Sequence, residues 1–430
     1  MNLLFLHPNM PGQYRHLARI LGAGGQHRIF FITKHKTAQI PGVTRVTYQI
    51  KPPSSPPGHP YLANAEHAIR QGQTVWRVAK AVQAEQNFTP DMIVCHPGWG
   101  DALFMKDLFP NARMLSFCEF FYRGTGADVG FEPNEAITDD DLARLRIKNS
   151  INLQNLAMMD WGIAPTVWQW SVHPEPFRDR ISVLHDGVDV EFCKPNPDAV
   201  LTLPGGKTFK KGDEVITYIA RNFEPYRGFH TFMHAAEILL KERPNLHIIA
   251  IGADEVSYGK RLQPGRTYRQ IYSEQVTLPP DRIHFPGHLP YPQLIAMLQI
   301  SKAHLYLTYP FVLSWSMLEA MACGVALVGS RTKPVEEIVR DGHHGLLADF
   351  NSPLDVADKL SQLLDSKTDN EDMRQAARDT IVRRFALNQI MPMQLRLVEE
   401  IARGEIPPPI ARDILEFSPI EPYQHIMWRP

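Results

Sequence analysis

The chain has 430 residues, 44% of them hydrophobic and 21% charged, and a formal net charge of −1, which excludes a disordered or fibrous protein and leaves room for two globular domains. Its four cysteines, Cys95, Cys118, Cys193 and Cys323, are too few and too scattered for a disulfide framework and form no C-x-x-C zinc pair. The N-terminal MNLLFLHPNMPGQ lacks the basic n-region of a signal peptide, and no run approaches the ~20 apolar residues of a membrane span, so the expectation is a cytoplasmic protein.

In chain order, Asn2–Leu6 is a continuous apolar run that predicts a strand, followed by the loop His7-Pro-Asn-Met-Pro-Gly12 and a helix over 13–21. A strand running into a glycine loop and a helix start is the arrangement of a phosphate cradle, and Gly12 is its candidate glycine. A second strand is expected at Arg28–Thr33, then a proline-rich loop KPPSSPPGHP over 51–60 and a long amphipathic helix over 62–86. Met92–Cys95 is a third buried strand ending in His96-Pro-Gly-Trp-Gly100, and 114–117 a fourth, ending in Cys118-Glu-Phe-Phe-Tyr. Thr138 caps a helix opened by Asp139, Asp140 and Asp141, where acid complements the helix dipole. A strand over 181–184 runs into His185-Asp-Gly-Val-Asp189.

Composition changes near Pro195, and 194–212, with three prolines and three glycines, reads as a linker. A second alternation then starts: strand 215–220 ending at Arg221, helix 229–240, strands 246–251 and 283–285, and helix 292–300. Its centre is LYLTYPFVLSWSMLEAMACGVALVGS, from 305 to 330. There a strand, a serine-rich turn (Ser314, Trp315, Ser316), a helix from 317, Gly324 at C′ and another strand follow one another, so a helix start is offered to an anion. Helices are expected over 335–339, 354–364, 371–384 and 388–402, then an irregular tail with Phe417, Tyr423 and Trp428. Two β/α alternations imply two doubly wound parallel sheets, with ligands at the carboxyl ends of the strands.

Polar residues gather at those ends: His7, His96 and Glu119 in the first half, Arg221 and the Ser314 region in the second. Glu319 fits two readings, the acid of a capping box with Ser316 or a carboxylate that accepts hydrogen bonds from a ribose diol. Arg221 and Arg227 bracket a loop that opens a helix, as a diphosphate clamp or as surface arginines with ion-pair partners. His96 stands between structural and catalytic roles. The first 65 residues hold seven Lys and Arg (Arg15, Arg19, Arg28, Lys34, Lys36, Arg45, Lys51) and no acid. Such a stretch suits an anionic partner or membrane surface, or else a face balanced by acids later in the chain.

Several of these motifs together resemble the retaining glycosyltransferases of family four, of the surface-polysaccharide type found in bacteria. They are the Pro-Asn-Met-Pro-Gly-Gln loop, the segment 91–96, Ser-Val-Leu-His-Asp-Gly-Val-Asp over 182–189, Arg221 to Gly228, and Leu-Glu-Ala-Met-Ala-Cys-Gly over 318–324. The resemblance implies the GT-B fold, two Rossmann-like domains facing each other across a cleft. It implies an acceptor-side domain over 1–195, a donor domain over 205–390, and a segment 391–430 that crosses back to the first domain. By the same resemblance Glu319 matches the second acid of an E-x7-E motif and would hold the nucleotide ribose. Arg221 and Arg227, the latter in place of a lysine, would bind the diphosphate with Ser314, Trp315 and Ser316. His96 would lie beside the donor sugar and Gly12 near the phosphates. Phe311 departs from the motif, standing where its first Glu is usual, near the transferred sugar. The function implied is transfer of a sugar from a UDP- or GDP-linked donor to a saccharide or lipid-linked saccharide acceptor, with retention, no metal and no further cofactor. Peripheral contact with the inner face of the membrane is expected, and no nucleic-acid partner. The alternatives are a nucleotide-sugar epimerase of the same fold and a non-catalytic nucleotide-sugar-binding protein.

Overall fold

The computed structural model describes residues 1–52, 58–368 and 370–407. The chain divides into two compact units, one of Met1–Gly187 continued from Asn388 on, the other Val188–Leu387.

In the first unit, β1 (Asn2–Leu6), β2 (Arg28–Thr33), β3 (Val43–Thr47), β4 (Met92–Cys95), β5 (Arg113–Phe117), β6 (Trp161–Ala164) and β7 (Ile181–Val183) form a parallel sheet ordered β3-β2-β1-β4-β5-β6-β7. Leu3 to Leu6 and Met92 to Cys95 are buried along their whole length because helices cover both faces of a parallel sheet. The strand order reverses between β1 and β4. Their carboxyl ends carry His7 and His96, so the topology itself delivers both rings to a switch point. The helix Asp139–Met158 begins with a capping box in which Thr138 and Asp141 satisfy each other's backbone donors. From Asn388 on the chain returns to this unit, where Gln394 Nε2 donates to the His185 carbonyl at 2.8 Å.

In the second unit, β8 (Val200–Thr202) and β9 (Thr208–Lys210) form an antiparallel hairpin. The strands β10 (Val215–Asn222), β11 (His247–Ala253), β12 (Ile283–Gly287), β13 (Ala303–Tyr306), β14 (Ala326–Ser330) and β15 (Leu346–Ala348) make a parallel sheet ordered β12-β11-β10-β13-β14-β15. Here the order reverses between β10 and β13. The two ends of this unit meet: Val188 N donates to the Phe385 carbonyl at 2.7 Å and Leu387 N to the Val188 carbonyl at 2.8 Å.

Several expectations need correction. The boundary falls at Gly187 and Val188, not near 195, because Val188, Val190 and Cys193 are buried in the core of the second unit. The return falls at Leu387 and Asn388 rather than at 390. The stretch 194–212 is not a linker: its hairpin buries Leu201, Leu203 and Phe209 against Val215, Ile249 and Ile251. Pro204, Gly205 and Gly206 lie in the turn of that hairpin, between Thr202 and Thr208. The helix expected over 335–339 lies at Lys333–Glu336, with Pro334 in its first turn. Residues 53–57 of the proline-rich loop, and Phe417, Tyr423 and Trp428 of the tail, lie outside the described residues. Among the described residues no helix is long and apolar enough to cross a membrane.

Burial depresses several histidines, among them the buried His173 and His185 to about 4 and His304 to about 3. Unfolded histidine titrates near pH 6.5. Below that pH the unfolded chain binds protons that the native one refuses, so stability is lost as pH falls from about 6.5 toward 4. Calorimetry should show a melting temperature that declines steadily through this window. His304→Asn, which cannot titrate, should decline less steeply, and an equal slope would show that His304 is not held neutral.

Candidate active site

The second unit brings its polar groups together at the carboxyl ends of β10 and β13. Arg221 is the penultimate residue of strand β10; it is exposed, and its side chain has no hydrogen bond or ion pair among the described residues. The chain then passes through a 3-10 turn, Pro225–Arg227, and reaches Gly228 at φ +65°. A Cβ at Gly228 would stand 2.6 Å from Leu307 Cβ, so a side chain is excluded both by the left-handed backbone and by the neighbouring strand. The helix Phe229–Glu242 follows.

Arg227 lies behind this turn, only 6% exposed. Its Nη1 faces three oxygens: Tyr306 Oη at 3.0 Å, Thr308 Oγ1 at 2.7 Å and the Val312 carbonyl at 3.0 Å. The loop between β13 and the helix Trp315–Ala322 is therefore fastened to the turn after β10. Tyr309 N donates to the Tyr226 carbonyl at 3.0 Å and Ser314 N to Tyr306 Oη at 2.7 Å, which completes the tie. Arg227 is thus engaged inside the protein, and Arg221 is the cation presented to solvent.

Glu224, missed in the sequence, is fully buried. Its carboxylate accepts backbone N–H bonds from Ser257 (3.3 Å), Tyr258 (3.0 Å) and Gly259 (2.8 Å). This holds Tyr258 with its ring 5.9 Å from the Arg227 guanidinium. Phe311 is buried edge-on between Tyr226 (5.4 Å) and Tyr258 (4.9 Å), and Tyr226 stacks on Tyr309 at 4.6 Å. An acid at 311 would put a carboxylate into this aromatic cluster, which is a physical reason for the departure from E-x7-E.

The helix Trp315–Ala322 starts two residues earlier than expected. Ser314 is its N-cap and accepts from Ser316 N, so the capping box expected of Ser316 and Glu319 is not formed. Ser316 is buried and Trp315 partly exposed. Glu319, 7% exposed, accepts a hydrogen bond on Oε1 from Tyr291 Oη at 2.8 Å. Tyr291 also escaped the sequence reading, although it stands at the start of a helix just beyond the carboxyl end of β12.

In the first unit His96, Glu119 and Gln13 form a second constellation. His96 Nδ1 accepts from Gly98 N at 3.1 Å, which assigns the proton of the neutral ring to Nε2. Nε2 lies 3.1 Å from Glu119 Oε2, and Gln13 Nε2 donates to Glu119 Oε1 at 3.1 Å. Burial opposes ionisation of Glu119, but the bond to His96, the nearby His7 and Gln13 outweigh it and hold the carboxyl below its ordinary range. The His7 ring sits 5.7 Å from His96. Gly12, at φ +53°, is glycine for a local reason: a Cβ there would stand 2.8 Å from the His7 ring.

Comparison with known proteins follows the division of the chain. A model of the glycosyl transferase family 4 group matches residues 25–193, and a model of glycosyl transferases group 1 matches residues 204–380. A D-inositol 3-phosphate glycosyltransferase of Corynebacterium efficiens is 28% identical over 197 residues, 45% of either chain. An N-acetyl-alpha-D-glucosaminyl L-malate synthase of Bacillus anthracis is 29% identical over 89 residues, 21% of this chain and 23% of that protein. The matches thus span less than half the length of these relatives. Among solved structures, Anabaena HepE in complex with UDP and glucose superposes with a TM-score of 0.61 at 14% identity, covering 93% of this chain and all of that one. Sucrose-phosphate synthase of Thermosynechococcus elongatus gives 0.67 at 16%, covering 94% and 100%. Both likenesses are of fold alone.

The two arginines should separate in a stability measurement. Arg227→Met removes the buried donor shared by Tyr306, Thr308 and the Val312 carbonyl and should cost about 2–4 kcal/mol. Arg221→Ala should stay within about 0.5 kcal/mol of the parent, as exposed substitutions do. Equal effects in chemical denaturation would contradict the division of roles.

Proposed function

We propose that this chain, which belongs to the family-four glycosyltransferases and has their GT-B fold, transfers a sugar from a nucleoside diphosphate to an acceptor hydroxyl with retention of anomeric configuration. The observation that supports this reading is one of topology: Arg221 lies at the carboxyl end of β10, and the helix Trp315–Ala322, which carries Glu319, follows β13, the strand beside it in the sheet. Each suits one part of such a donor. The exposed guanidinium donates in a planar fork to a diphosphate. The helix start supplies positive partial charge beside it. A carboxylate 7% exposed accepts from a ribose diol. Arg227 adds its charge from within the loop.

In the reaction the bond between the anomeric carbon and the diphosphate oxygen breaks, and the acceptor oxygen bonds to the same carbon on the same face. The acceptor proton passes to the departing diphosphate. Positioning and stabilisation of that anion lower the barrier, with no covalent enzyme intermediate required. The first unit, with His96 held by Glu119, is assigned to the acceptor.

The acceptor is assigned as a saccharide, free or lipid-linked, with anionic character. Support comes from the helix Arg15–Ala23, where Arg19 and Ile20 are exposed side by side. Three of the seven early basic residues have structural work instead. Arg28 caps the Gln86 and Asn87 carbonyls (2.6 and 3.2 Å), Arg45 donates to the Ala38 carbonyl, and Lys34 donates to Gln71.

Glu319→Gln should weaken binding of the preferred nucleoside diphosphate about tenfold or more, since a hydrogen bond to a charged partner contributes about 1.5–3 kcal/mol. Unchanged affinity in calorimetric titration would remove Glu319 from the site. Product analysis with a radiolabelled donor distinguishes the reactions: transfer to acceptor supports the proposal, whereas interconversion of free nucleotide sugars would establish an epimerase, and binding without turnover a binding protein.

Binding to vesicles containing phosphatidylserine should fall steeply between about 0.05 and 0.5 M salt, as screening of basic residues demands. Arg19→Glu should weaken it further. Absence of binding even at low salt would limit the acceptor to a soluble saccharide.

A further inference from the structure

Glu319 does not stand by itself. Tyr291 donates its hydroxyl to Oε1 at 2.8 Å. The Tyr291 ring is in turn stacked by Phe192, at 5.5 Å between centroids and 19° between planes. Cys193 Sγ lies 3.5 Å from the same hydroxyl. Burial, reinforced by the neighbouring carboxylate, pushes the phenol far above its ordinary range, so it remains a donor at every pH at which the protein is folded. The helix Tyr291–Ile300 begins with this residue and so fixes the backbone from which the ring projects.

A glutamate reaches its carboxylate through three torsions, and an unrestrained one pays rotamer entropy whenever it engages a ligand. A phenol anchored on one oxygen sets the plane of the carboxylate and the directions from which it accepts. Recognition of two adjacent hydroxyls is the case in which such aim matters, because both bonds must form in one geometry. A site built to bond a hydroxyl also rejects an analogue that lacks it, since its own polar group is then left unmatched.

We propose that Tyr291 is the residue that makes this site selective for a ribonucleotide: by holding Oε1 it aims the Glu319 carboxylate at the vicinal diol of the donor. The proposal rests on Glu319 as the ribose contact. Tyr291 acts through Glu319 and is a positioning residue. Its signature is therefore discrimination between sugars of the nucleotide, which a merely structural residue would leave unmoved.

The test titrates the full chain with UDP, GDP and ADP, takes the tightest binder, and repeats the titration with its 2′-deoxy counterpart. Wild type, Tyr291→Phe and Glu319→Gln are compared. Wild type should prefer the ribonucleotide by about tenfold or more. Tyr291→Phe removes only the hydroxyl, and it should cut that ratio at least about threefold while the melting temperature stays close to the parent's. A ratio unchanged in Tyr291→Phe but collapsed in Glu319→Gln would overturn the proposal and leave the ribose contact standing. A ratio unchanged in Glu319→Gln, or no binding by any of the three nucleotides, would overturn the ribose contact itself and the proposal with it.

Discussion

Around the buried guanidinium of Arg227 two loops of the second unit are drawn together. Two loops leave the sheet at its switch point, one after β10 and one after β13, and the first contains only a single 3-10 turn before its helix. A charge buried among Tyr306, Thr308 and the Val312 carbonyl ties the two loops to a common point. The arrangement is costly to leave unsatisfied, because each of those oxygens has been withdrawn from water. That cost gives the loop a single geometry. Ser314, Trp315 and Ser316 inherit their positions from it, and so does the start of the helix that carries Glu319. The substitution of arginine for the lysine usual in this family fits the same picture. A planar guanidinium can bridge several oxygens, whereas an ammonium presents a compact charge. Phe311 belongs to it as well, since a loop fastened by Arg227 and walled by Tyr226 and Tyr258 has an apolar vacancy where the family has an acid.

The first unit solves a parallel problem with different chemistry. Its polar centre is a histidine whose two ring nitrogens are both occupied, one by the Gly98 amide and one by Glu119. The carboxylate is shared with Gln13, so the loop after β1 and the ends of β4 and β5 are linked through a single acid. A ring held at both nitrogens is an oriented group. Catalysis by positioning needs orientation more than it needs mobile protons.

Most of the architecture was legible in the chain because doubly wound sheets write their strands as unbroken apolar runs. Leu-Leu-Phe-Leu, Met-Ile-Val-Cys and Ala-Leu-Val admit few other readings. What escaped was short or disguised. Val43–Thr47 is an edge strand with partly exposed side chains, Trp161–Ala164 and Leu346–Ala348 are only four and three residues long, and the hairpin at 200–210 hides behind turn residues that imitate a linker. The site divides in the same way. Arg221, Arg227, His96 and Glu319 are visible because they sit at strand ends within recognisable motifs. Their partners are not. Nothing local in Phe-Glu-Pro announces that Glu224 will be wholly buried beneath three amides from thirty-odd residues away. Nor does Pro-Tyr-Pro show that Tyr291 will meet Glu319. Sequence exposes the polar groups at strand ends, whereas the residues that hold them are decided by tertiary contact.

The meeting of Val188 with Phe385 and Leu387 has a consequence for the ancestry and engineering of the chain. A unit whose first and last residues are hydrogen-bonded to each other is an insertion in the topological sense, carried between Gly187 and Asn388 of the first unit. Closing that gap with a short turn would give a circular permutant with new termini in any exposed loop of the second unit, without stretching a strand. The same geometry makes the second unit a cassette. The corresponding unit of a relative could be exchanged at this doubled seam, with only two peptide bonds to rejoin and their ends already side by side.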